Sequence, residues 1–170
     1  SDSGSSELGA VTRLNNSPLT SLTYTDIPFT DGTYFYAVES LNSLGTASAL
    51  SNRASVLVDS TPPKITSITY THQGNFDAAN ERFGTGSVDV VVDISEELLT
   101  TPFLSIVPEG GFPISIDLFR SAANDDAIQY TGRFEISATT LSGLASAVFS
   151  ARDLNGNRGT EIAQGQVINI

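Results

Sequence analysis

Apolar and polar residues alternate along this chain in short runs rich in Val, Ile, Thr, Phe and Tyr, broken by Gly, Pro, Asn and Asp. A period of two belongs to a β-strand, whose successive side chains leave opposite faces, whereas a helix repeats near 3.6. Val88, Val90, Val92 and Ile94 alternate with Asp89, Val91 and Asp93, which predicts a strand with one buried and one wetter face. Thr33 to Glu39 is also a strand, with Tyr34, Tyr36 and Val38 on one side and Phe35 and Ala37 on the other. Further strands are expected at Ile65–Tyr70, Phe103–Val107, Pro113–Phe119, Ile128–Ile136, Ala145–Arg152 and Glu161–Ile170. Short strands at this spacing, with turn residues between them, predict an all-β fold of antiparallel sandwich units.

The sharpest boundary is Asp59-Ser60-Thr61-Pro62-Pro63. Val56-Leu57-Val58 ends one strand and Lys64-Ile65-Thr66 begins the next, while the two prolines cannot donate ladder hydrogen bonds and hold the backbone extended. The expected division is therefore a first unit over 1–59, a stiff connection over 60–63 and a second unit over 64–170. Residues Ser1 to Ser6 are polar and are expected to fray.

Composition narrows the chemistry. There is no cysteine, hence no disulfide, no thiolate metal site and no sulfur nucleophile. Ser1 stands first and methionine is absent, so a processed product or an excised piece is expected, with any targeting or anchoring segment outside it. No apolar run approaches the roughly 20 residues of a membrane-spanning helix, so no membrane insertion is expected within the segment. Eight Lys and Arg face nineteen Asp and Glu, a net charge of −11 that repels phosphate backbones and argues against a nucleic-acid partner.

Tyr24-Thr25-Asp26, the run Asp31-Gly32-Thr33-Tyr34-Phe35-Tyr36-Ala37-Val38-Glu39, Leu44-Gly45 and Ser48-Ala49-Leu50-Ser51-Asn52 resemble the last strands of a fibronectin type III module. The likeness covers the later half of such a module, since about 100 residues make a whole sandwich of this kind. Residues 64–170 are similar to the bacterial Ig-like domains repeated in large surface proteins. This second likeness rests on the Asp-Ser-Thr-Pro-Pro lead-in, Phe83-Gly84-Thr85-Gly86, Ile94-Ser95-Glu96-Glu97-Leu98 and Phe149 to Asn157 with its Asp153-Leu154-Asn155-Gly156-Asn157 element. Together the resemblances imply two Ig-like antiparallel β-sandwich units in tandem, the first incomplete, at an extracellular or bacterial cell-surface location. They imply adhesion, spacing or matrix function and no family-wide enzymatic activity. Expected partners are neighbouring Ig-like modules or the missing strands of the first unit, and a protein or glycan ligand.

Catalytic parts are lacking on the sequence itself. His72 is the single histidine, and without cysteine or a Gly-x-Ser-x-Gly turn no nucleophile–base pair can be assembled, so no catalytic residue is assigned. No Gly-rich phosphate loop or dinucleotide fingerprint follows a strand. Carbohydrate recognition usually needs aromatic platforms; tryptophan is absent, although Phe76 and Phe83 lie in the long stretch 71–87, the best candidate for a partner-binding surface.

Strand parity points to a cation. Successive antiparallel strands reverse direction, so alternate loops gather at one end of a sandwich. Loops 95–102, 120–127 and 153–160 then return to the pole beside Asp59. They carry Glu96 and Glu97, Asp125 and Asp126, and Asp153, Asn155 and Asn157. Hard oxygen ligands from several loops suit Ca2+, which is expected at the junction of the two units. Against this, Asp153 to Asn157 is also what a tight turn requires, since Asn155-Gly156 tolerates positive φ.

Overall fold

The computed structural model describes residues 11–122 and 128–170, and among these there is no helix. The chain divides into two compact units, Ser1–Asp59 and Ser60–Ile170.

In the first unit, β1 (Gly32–Tyr36) and β2 (Ala54–Val58) pair antiparallel, with Phe35 opposite Ser55 and Thr33 opposite Leu57. Beyond Tyr36 the two arms stay joined as Ser51 N–H donates to the Val38 carbonyl and Ser48 N–H to that of Ser40. The hairpin closes at Asn42–Gly45, where the Asn42 Oδ1 accepts from Leu44 and Thr46 N–H and Gly45 takes φ +81°, open to glycine without steric cost. No residue between 11 and 59 is buried.

Among the described residues the second unit has eleven strands, β3 to β13. They are β3 (Ile65–His72), β4 (Phe76–Asp77), β5 (Arg82–Phe83), β6 (Gly86–Ile94), β7 (Phe103–Pro108), β8 (Ile114–Ile116), β9 (Phe119–Arg120), β10 (Ile128–Ile136), β11 (Leu144–Arg152), β12 (Arg158–Gly159) and β13 (Val167–Asn169). One sheet runs β3-β6-β10-β9, all antiparallel; the other runs β4-β5-β13-β11-β7-β8, with β12 on the end of β11. Within the second sheet β13 and β5 are parallel and the remaining pairs antiparallel.

The inward residues of both sheets form one core. Val88, Val90, Val92 and Ile94 from β6 and Tyr130, Phe134 and Ile136 from β10 meet Leu104 and Ile106 from β7 and Ala145, Ala147 and Phe149 from β11. Within the second sheet Ala147 of β11 stands beside Ile106 of β7, and each buried Val, Ile or Leu is worth about 1.5–3 kcal/mol. The outer face of β6 is polar as expected. Asp93 accepts from Ser67 Oγ at 2.6 Å and Gln129 Nε2 at 2.9 Å, and Asp89 pairs with Arg133 at 2.5 Å. The result is an all-β, sandwich-like fold.

Three segments depart from the expectation. Pro113–Phe119 divides into β8 and β9, which belong to different sheets. Stretch 71–87 is not a plain loop, because β4 and β5 form a small hairpin there with Phe76 opposite Phe83. Only Arg158–Gly159 and Val167–Asn169 are strand in the last stretch, where Glu161–Ile170 was expected, because Ile65 N–H and Ile68 N–H bond to the Glu161 and Gln164 carbonyls and draw the intervening backbone along β3 as irregular chain.

Candidate metal centre

Backbone pairing sets the loops at one end of the second unit. Lys64 N–H donates to Ser95 Oγ at 3.0 Å and Ser95 N–H returns a bond to the Lys64 carbonyl at 3.0 Å, which places Glu96 beside the segment leading from Asp59. Leu98 forms a bridge with Asp153, and Leu99 N–H bonds the Arg152 carbonyl, which ties the end of β11 to the same loop. Asp59, Glu96 and Asp153 consequently offer carboxylate oxygens that all lie within 4.8 Å of one another.

Asp153 is the anchored member, 1 % exposed. Its Oδ1 accepts from the backbone N–H of Asn155 at 2.8 Å and of Asn157 at 2.9 Å, and its Oδ2 from Asn157 Nδ2 at 2.8 Å. Burial pushes the Asp153 pKa up, but the Asn157 amide and the backbone N–H groups of Asn157, Asn155 and Gly156 outweigh it and hold the carboxyl below its ordinary 3.8. Asn155 and Asn157 therefore shape the loop around Asp153 through donors, and the Asn157 side chain spends an N–H on that aspartate.

The remaining predicted positions separate. Glu97 is not in that group; it grips Arg120 of β9 in a two-pronged ion pair, and the guanidinium holds the Glu97 carboxyl below its usual range. Asp125 and Asp126 lie outside the described residues. Sequence reading missed Arg120 as the partner of Glu97; its position just past a predicted strand was the available signal.

Three carboxylates from separate segments suit a hard divalent cation. Oxygens bound to one Ca2+ at about 2.3–2.6 Å lie at most about 5 Å apart, which the 4.8 Å grouping satisfies. No imidazole or thiolate stands in the group, so its chemistry favours Ca2+ or Mg2+ over zinc.

At the β4–β5 hairpin, a groove of about 420 Å³ is lined by Phe76, Phe83, Leu144, Asn80, Glu81 and Asn169. The rings are half-buried. Phe83 packs edge-to-face on Tyr70 at 6.3 Å and on Phe76 at 5.1 Å, and His72 stacks flat on Phe76 at 4.4 Å. No protein-family model, curated protein or solved structure matches the chain.

Proposed function

We propose that this chain is a non-catalytic structural or adhesive segment of a bacterial surface or secreted protein, its second unit Ig-like and its first akin to part of a fibronectin type III module, and that Ca2+ stiffens the pole bearing Asp153. The observation that carries the reading is the convergence of Asp59, Glu96 and Asp153 within 4.8 Å. A buried, hydrogen-bonded Asp153 is preorganised as a ligand, so an ion meets at least one carboxylate already fixed in place. A cation shared by the lead-in segment and two loops restrains all three, which suits a module that transmits position rather than transforms a substrate.

Thermal melting tests this. Extracellular calcium modules bind at roughly 10⁻⁴–10⁻³ M. At 10 mM Ca2+ the folded state then gains about 1.4–2.7 kcal/mol by mass action, a rise in Tm of roughly 5–10 °C. Glu96→Gln and Asp59→Asn each abolish the rise, and superimposable curves in Ca2+ and in chelator overturn the site.

The groove at the β4–β5 hairpin supports a second reading, an accessory glycan- or protein-binding module of a secreted degradative enzyme, because two phenyl rings stand there beside amide and carboxylate groups. Retention on a glycan array that Phe76→Ala removes decides for this reading; absence of retention decides for the first.

A further inference from the structure

Eight basic residues stand among nineteen acids, so a surface guanidinium finds a carboxylate easily, and Arg120 and Arg133 each have one. Arg152 and Arg158 differ: among the described residues no carboxylate lies within ion-pair reach of either. The two stand directly opposite each other where β12 pairs with β11. Both are exposed on the outer face of the sheet, since the neighbouring pair, Ala151 and Gly159, is buried. Like charges directly across a ladder are destabilising, and an anion shared between them removes that cost. Neutral acceptors hold both side chains in place. Arg152 Nη1 donates to the Gly156 carbonyl at 2.6 Å and Arg158 Nε to Ser150 Oγ at 3.1 Å, which leaves most of the five N–H donors of each guanidinium for a ligand. On the other side of β11, Phe103 of β7 is in register with Ser150 and is 50 % exposed.

We infer that Arg152 and Arg158 form a two-guanidinium site for an acidic sugar, whose carboxylate or sulfate sits between the forks while its ring lies toward Phe103. Guanidinium forks bind such oxyanions through paired N–H donors, with more directional strength than a single ammonium. Net charge favours a sugar over a dense polyanion. At −11 the chain repels a close run of phosphates or acidic side chains, whereas one anionic group among neutral hydroxyls meets far less repulsion. The Phe103 ring beside the Ser150 hydroxyl supplies an apolar face and a polar group, the two kinds of surface a pyranose presents. Arg158 also lines a groove of about 480 Å³ with Lys64, Glu96 and Glu161; that groove mixes both signs of charge, so the anion is assigned to the outer face of β11 and β12. The inference rests on neither the calcium site nor the groove at the β4–β5 hairpin. Leu144, which lines that groove, and Arg152 are opposite ends of the nine-residue β11, about 26 Å apart.

Calorimetric titration of the whole chain in chelator tests it with four probes: a galacturonic acid trisaccharide, a sulfated galactose trisaccharide, the neutral galactose trisaccharide and a triglutamate peptide. One or both anionic sugars are expected to bind with a Kd on the order of 1 mM or tighter, and the one that binds identifies the anion. The neutral sugar and the peptide bind at least about tenfold more weakly. Arg152→Gln and Arg158→Gln each weaken the anionic sugar about tenfold or more, because hydrogen bonds to a charged group are lost. Arg158→Lys, which keeps the charge without the fork, restores only part of the affinity. Phe103→Ala weakens the sugar as well, and Phe76→Ala leaves it unchanged. Arg152 also braces its own turn through Gly156, so melting curves accompany the variants, and Arg158→Gln decides if Arg152→Gln melts early. No binding of either anionic sugar at about ten times that Kd overturns the inference, as does equal binding of the neutral sugar or affinity that survives both Gln substitutions. Equal binding of triglutamate overturns it in favour of an acidic peptide.

Discussion

Asp153 keeps its charge where water scarcely reaches it, because donors from Asn155 and Asn157 converge on its two oxygens. Asp153→Ala strands those N–H groups, and unsatisfied buried donors cost about 3 kcal/mol in all. That loss lowers the Tm of the second unit by roughly 10 °C even without metal, measurable by calorimetry. The residue also sets an acid limb. Its folded pKa lies below its ordinary 3.8, so its contribution is complete above that value and disappears as pH falls through the depressed one. Urea midpoints measured downward from pH 5 should therefore drop steeply below about pH 4 in the native chain. In Asp153→Asn the drop is shallower; an unchanged slope would remove Asp153 from the account. Sequence placed Asp153, Glu96 and Asp59 at one pole by strand parity alone. It did not separate Glu96 from Glu97, since which of two adjacent acids faces the pole depends on Arg120, a side chain from β9 more than twenty positions away.

Strand-forming runs with strict alternation were legible almost to the residue. Val88–Ile94 sits within β6, and Ile128–Ile136 coincides with β10, because a one-residue slip would turn every valine outward. Elements lacking alternation were not legible: the β4–β5 hairpin is two residues on two, held by Asp77 accepting from Ala79 N–H and the Asn80 amide. Nor did the pattern show that Pro63 is fully buried, with its backbone against β12. A Cβ on Gly159 would stand 1.6 Å from the Pro63 carbonyl oxygen, inside any tolerable contact. Gly159→Ala therefore displaces the Pro63 backbone or β12, at a cost of about 3 kcal/mol or more. Denaturant unfolding measures the loss, and a midpoint within error of the parent would show that the approach relaxes freely.

At the scale of the molecule the two units differ in kind. Among the described residues every member of the buried core lies between Ile65 and Ile170, whereas residues 11–59 contain no buried side chain. Hydrophobic burial is the main driving force of folding, and an isolated two-stranded ribbon is marginal in water. Cooperative stability should accordingly reside in Ser60–Ile170. A fragment of those residues is expected to fold alone and to unfold in urea as a single transition. In Ca2+-free buffer its midpoint lies close to that of the whole chain, since it carries every buried core residue among those described. The slope m should be nearly the same for fragment and full chain, because m follows the surface exposed on unfolding and the first unit has little buried surface to expose. Native-state exchange in the full chain should agree: β6, β10 and β11 amides exchange only through global opening, and those of β1 and β2 far faster. A second cooperative transition assigned to residues 32–58 in the full chain, or a fragment that fails to fold, would mean that stability is shared between the units after all.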